Sequence, residues 1–211
     1  MTSFSTSTSR RSGAFGHRLR QFPLTLAAAI AFLFIGSAAQ AQITIYAKFL
    51  DGAGNWAGEL TGGRQGWTAL ESAVVSFSNP TAIGGATAPV NFNPVILSKA
   101  VNKLTPQIFA STVLGTAVRN LTLPADLTLE YVTEGPAGPV VFFRVEMRYL
   151  IFTSQKTATS TGSDAMQEDV EIQFGSVRLT SWPISPAGTQ GTPKTDTWNR
   201  IKGTNNFNDV P

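Results

Sequence analysis

Val140-Val141-Phe142-Phe143-Arg144-Val145-Glu146-Met147-Arg148-Tyr149-Leu150-Ile151-Phe152 decides the fold class of this chain. Val141, Phe143, Val145, Met147, Tyr149 and Ile151 fall on one face of an extended backbone, and Arg144, Glu146 and Arg148 fall on the other. Side chains alternate across a strand, so an apolar row opposite a charged row predicts a strand with one buried face and one meeting water or a partner. A second segment, Glu168 to Thr180, repeats the pattern with Val170, Ile172 and Phe174. Its apolar residues then change parity to Val177 and Leu179, which predicts a β-bulge at Gly175-Ser176.

Working outward, Ile43, Ile45, Ala47 and Phe49 read as an early strand, and Trp67–Phe77 and Phe92–Leu97 as further ones. Leu121–Tyr131 supplies one or two more, with Pro124 as an interruption or an edge. One helix is expected. Thr105 is its N-cap with Pro106 at the first helical position. Ile108, Phe109, Val113 and Leu114 form its apolar stripe, and Gly115 stops it. Such a helix should cover an open end or edge of the sheet. Asn79–Val90 and Ser154–Ala165 read as loops rich in small residues, and residues 183–211 as a Pro/Gly/Asn-rich tail packing at points such as Trp198.

The N-terminus reads as an export signal. A polar, arginine-containing stretch runs to Gln21, an apolar run spans Leu24 to Ile35, and Ala39-Gln40-Ala41 is a small-residue cleavage site. The apolar run is short for a membrane span of about 20 residues, which favours cleavage after Ala41 over a retained anchor. Residues following Arg10-Arg11 fit a twin-arginine signal poorly, so ordinary Sec export is expected. The division is therefore a signal peptide at 1–41, a β domain at 42–182 and the tail at 183–211, in a protein expected to be periplasmic or secreted.

That division also explains the charge. Of 16 basic residues, Arg10, Arg11, Arg18 and Arg20 lie in the first 41 positions, which hold none of the 13 acidic ones. What remains has twelve basic residues against thirteen acidic, so the basic footprint of a nucleic-acid binder is missing. Cysteine is absent from all 211 residues, and the one histidine, His17, lies in the segment to be removed. The mature chain thus lacks an imidazole base, a thiol nucleophile and any His or Cys metal ligand. Asp164, Glu168, Asp169 and Glu171 are the one acidic cluster. The alternation of Asp169 and Glu171 with Val170 and Ile172 suits an outward strand face better than a calcium loop. Gly52, Gly54 and Gly58 make no nucleotide-binding pattern, and Asn120-Leu121-Thr122 is a sequon by letters alone. No catalytic residue, cofactor site or metal site is expected. A hydrolase built on paired carboxylates is the weakest of the readings.

The order of these features resembles the Hcp family of type VI secretion tube proteins. The resemblance rests on Phe92-Asn93-Pro94-Val95-Ile96-Leu97-Ser98-Lys99, then Asn102, then Thr105-Pro106 and the helix ending at Gly115. It continues through Val140–Phe152, Glu168-Asp169-Val170-Glu171-Ile172-Gln173-Phe174 and Trp198-Asn199-Arg200-Ile201. It implies a compact antiparallel β-barrel with a short helix on its flank. It also implies homo-hexameric rings that stack into a tube and carry effectors in the lumen. A closed ring needs head-to-tail contacts. The resemblance offers Ile83, Gly84 and Gly85 for ring stacking and Arg144, Glu146 and Arg148 for a subunit contact or lumen face. The alternative is an exported monomeric β-barrel binding module that kept the fold without tube assembly. Two departures stand out. Asn102 replaces the family's acidic residue, which should weaken a local ion pair with Lys99. Family members are also typically cytoplasmic and carry no export signal.

Overall fold

The computed structural model describes residues 42–49, 56–79, 90–119, 125–159 and 165–211. The segment read as an export signal, Ile83-Gly84-Gly85, Asp164, the Asn120-Leu121-Thr122 triplet and Gly52 and Gly54 therefore lie outside the described residues. Twelve strands and one α-helix are described. The strands are β1 (Thr44–Phe49), β2 (Thr68–Leu70), β3 (Ser72–Val74), β4 (Phe77–Ser78), β5 (Asn91–Phe92) and β6 (Val95–Ala100). Helix α1 (Thr105–Leu114) follows. The chain continues with β7 (Leu127–Gly135), β8 (Gly138–Arg148), β9 (Ile151–Ala158), β10 (Gln167–Gln173), β11 (Ser176–Ser181) and β12 (Lys194–Asn199).

The protein is mainly β and every pairing is antiparallel. One sheet has the order β12-β11-β8-β7-β1-β2, a second has β3-β6-β10-β9, and β4-β5 form a small ribbon. Among the described residues the ladder does not run unbroken around a barrel. The two large sheets meet instead at corners where strands pass from one to the other.

Those corners correct two expectations. Val140–Phe152 is not one strand, because the chain leaves the six-stranded sheet after Arg148 and enters the four-stranded sheet at Ile151. Tyr149 makes the turn with a positive φ of 58°, a region that L-residues other than Asn and Asp rarely occupy. Glu168–Thr180 likewise divides into β10 and β11, in different sheets. The parity change at Gly175 marks the change of sheet, not a bulge within one ladder. The corners lie side by side: Gly175 N donates to Arg148 O at 2.8 Å and to Tyr149 O at 3.1 Å. A Cβ at Gly175 would approach Tyr149 Cβ at 2.9 Å and an Ile201 methyl at 2.7 Å, so the residue there must be glycine. One long hairpin, β8-β9 against β10-β11, is thus bent across both sheets, as sheet corners are commonly made.

The core sits between the sheets. Ala47, Phe49, Leu127, Leu129, Val145, Met147 and Val177 come from the six-stranded side, and Val95, Leu97, Phe152, Val170, Ile172 and Phe174 from the other. Trp56 stacks on Phe152 with ring centroids 5.4 Å apart, and both touch Phe49. Residues 183–211, read as a loosely attached tail, contribute β12 at the sheet edge. Beyond it Phe207 is buried, and Ser176 Oγ donates to its carbonyl at 2.7 Å. Asn199, fully buried, donates through Nδ2 to Asn206 O and Asp209 O. The sequence hid this because asparagines and glycines hold the segment by backbone capture, which leaves no apolar periodicity.

Candidate functional site

Arg144, Glu146 and Arg148 share the outer face of β8, as their alternation requires, but two of them do not face solvent. Arg144 spans to Glu130 on β7, with Nη2 at 2.6 Å and Nε at 3.1 Å from Oε1. Arg64 donates to the other oxygen, Oε2, at 2.7 Å. Its guanidinium lies 4.2 Å from the Tyr46 ring centroid and 5.3 Å from that of Trp67. A wide, shallow depression of about 710 Å³ surrounds this cluster. Glu146 takes a bidentate pair from Arg178, at 2.7 and 2.8 Å, and Arg148 Nη1 donates to Asn208 Oδ1 at 2.9 Å. The returning C-terminal segment lies over this face, with Phe207 against the Arg178 guanidinium at 4.5 Å. Glu146 and Arg148 are therefore buried within the chain, 8% and 5% exposed, where the sequence left the row to water or a partner. The hydrogen bond to Glu146 raises the Arg178 pKa further above its ordinary value, holding the cation firmly charged.

Helix α1 lies on β9, the edge strand of the four-stranded sheet, where a cover was expected. Gly115 ends it with φ 61°. Its first turn differs from expectation, since Leu104 holds the cap position and Thr105 is already helical. Thr105 Oγ1 instead accepts from Asn102 N at 3.0 Å. The stripe also divides differently. Ile108 alone is buried, while Phe109, Val113 and Leu114 are 61%, 68% and 70% exposed. The helix carries no charge along its whole length, so its outer face is an apolar ridge.

Beneath the helix lies a polar node that sequence reasoning missed. Lys99 and Glu168 are buried to 1% exposure each and form an ion pair. Lys99 Nζ also donates to Asn102 Oδ1 at 2.7 Å and Ala100 O at 3.1 Å. Glu168 accepts from Thr105 Oγ1 and from Gln155 Nε2, both at 2.7 Å. Asn102 therefore does not leave Lys99 without an anion; the carboxylate comes from across the β6-β10 ladder, where Lys99 and Glu168 stand in register. The signal was present, in that Glu168 shares the parity of Val170 and Ile172, the inward row. Asp169 is outward, bonded to Ser98, and Glu171 pairs with Lys156 at 3.3 Å. Among the described residues no group of three His, Cys, Asp or Glu is placed to hold a metal ion. No described helix is long and apolar enough to cross a membrane.

These features define a class: an all-antiparallel, two-sheet β domain with one helix laid on an edge strand. Solved structures that share this architecture include proteins of type VI secretion. No family model and no curated protein matches the sequence. A structure described as a type six secretion system protein superposes with TM-score 0.68 at 18% identity, over 77% of this chain and 99% of its own. Hcp1 of Salmonella typhimurium gives 0.58 at 15% identity, covering 78% and 98%. Hcp1 of an enteroaggregative E. coli pathovar gives 0.56 at 15%, covering 75% and 99%. The chain has the Hcp fold.

Proposed function

We propose that this chain is a ring-forming structural subunit of Hcp type, assembling as a homo-hexamer whose rings stack into a tube. The observation that carries the proposal is the likeness to type VI secretion proteins over 98–99% of their lengths. Rings would stack through the loop tip Ile83, Gly84 and Gly85, and the lumen would hold secreted effector proteins. Of the β8 row, Arg144 is the member with solvent access at 35% of its side chain, so the subunit contact or lumen face would use it first. The role is structural and not enzymatic. Export through residues 1–41 would place the assembly in the periplasm or outside the cell, without a nucleic-acid or membrane partner.

A second reading draws on a specific observation. The C-terminal segment covers Glu146 and Arg148 within the chain itself, which suits an exported monomeric binding module. Light scattering on residues 42–211 separates the two. A mass six times that of the chain supports the ring, and a single-chain mass at every concentration contradicts it.

A further inference from the structure

The node beneath α1 is arranged around one atom, the side-chain carbonyl carbon of Asn102. A nucleophile stands on one side, since Lys99 Nζ is 2.7 Å from Asn102 Oδ1. The backbone N–H of Leu104 donates to that same oxygen at 3.0 Å, where charge would collect if the amide were attacked. On the leaving side, Asn102 Nδ2 donates to Thr68 Oγ1 at 2.9 Å, and that hydroxyl donates to Glu59 Oε1 at 2.8 Å. A base touches the nucleophile, because Glu168 contacts Lys99 Nζ and is fixed by Thr105 and Gln155. Lys99 and Glu168 are out of reach of bulk water, so the amine and its base meet without solvent between them.

We propose that Lys99 and Asn102 join in an intramolecular isopeptide bond, formed by the folded chain with Glu168 as the base. Glu168 takes one proton from the Lys99 ammonium. The amine lone pair then attacks the Asn102 carbonyl carbon, the flexible lysine side chain carrying Nζ from beside Oδ1 onto the face of an amide that Leu104 and Thr68 keep in place. The carbon–nitrogen bond forms and the electron pair of the carbonyl moves onto Oδ1, held by the Leu104 N–H. The intermediate collapses by breaking the bond to Nδ2. Nδ2 leaves as ammonia with a second proton from the Lys99 nitrogen, transferred within the intermediate, where both nitrogens are bonded to the same carbon, while Thr68 Oγ1 holds Nδ2. Of the three ammonium protons, one stays on the new amide, one leaves on ammonia and one stays on the Glu168 carboxyl. No oxidant, metal or second substrate is needed. The step is favoured because it replaces a buried cation and anion by a neutral amide and a neutral acid, removing charges that are costly to desolvate. Fixed proximity supplies the rate, as it does for intramolecular acyl transfer generally.

Tryptic peptide mapping of the purified chain tests this. Trypsin cuts an unlinked chain after Arg64, Lys99 and Lys103. The linked chain should resist at Lys99 and yield one Gln65–Lys103 product, lighter by one ammonia. Cleavage after Lys99 with both peptides at full mass overturns the proposal. A succinimide at Asn102 loses the same ammonia, so Lys99→Arg separates the two. The variant should keep full mass, and an ammonia loss that persists in it overturns the bond. Glu168→Gln, shown to be folded by its circular dichroism, should remain unlinked. Linkage in it at the wild-type extent overturns the role given to Glu168.

Discussion

At the scale of single residues, Lys99 and Glu168 tie β6 to β10 and, through Thr105 and Gln155, hold α1 on β9. In the chain before any link to Asn102 forms, removing one member of this buried pair strands the other, and such losses amount to about 3–5 kcal/mol. Lys99→Met should therefore lower stability by that order in urea unfolding. The double change Lys99→Met with Glu168→Leu should recover most of it, since no charge is left without a partner. Tyr131 gives a pH-dependent counterpart. Burial raises its phenol above the ordinary 10.0, because the charged form is disfavoured there. The sign follows: the unfolded chain ionises first, so Tyr131 costs nothing below pH about 10 and lowers stability as pH rises past it. Tyr131→Phe should flatten the alkaline limb of the melting-temperature profile and leave neutral pH unchanged in that respect.

At the scale of elements, α1 and β12 have opposite relations to the core. The α1 ridge Phe109, Val113 and Leu114 is largely exposed among the described residues, and surface changes away from packing stay within about 0.5 kcal/mol. Phe109→Asp should thus leave the melting temperature unchanged in dilute solution. By contrast, truncation after Pro193 removes β12, the buried Asn199 and the Phe207 cover. The shortened chain should lose cooperative unfolding, as calorimetry would show. The strands were legible from alternation: Val145, Met147, Val170 and Ile172 are inward as read. The sheet to which each strand belongs was not, because parity specifies a face and carries no information on where a backbone turns. Tyr149 and Gly175 make their corners through φ and close approach, not through hydrophobic pattern. The Lys99–Glu168 pair was hidden for a related reason, since register across β6 and β10 is a property of the ladder and not of either strand alone. The ridge on α1 was read as core because periodicity shows that a helix has an apolar side and does not show what meets it.

At the scale of the whole molecule, the fold is that of Hcp, and the proposal to be tested is that the chain assembles into rings. Its outer face is partly closed by its own C-terminal segment, so of the described residues the proposed assembly has Arg144 and the α1 ridge to draw on. Head-to-tail contacts that close by rotation make rings, and the same contacts repeated along an axis make tubes. Negative-stain electron microscopy of residues 42–211, beside the Ile83→Asp variant, is the most direct measurement. The account predicts six-fold rings with a central lumen, stacked in the unaltered chain and single in the variant. Compact particles of single-chain size in both samples, at every concentration, would contradict it.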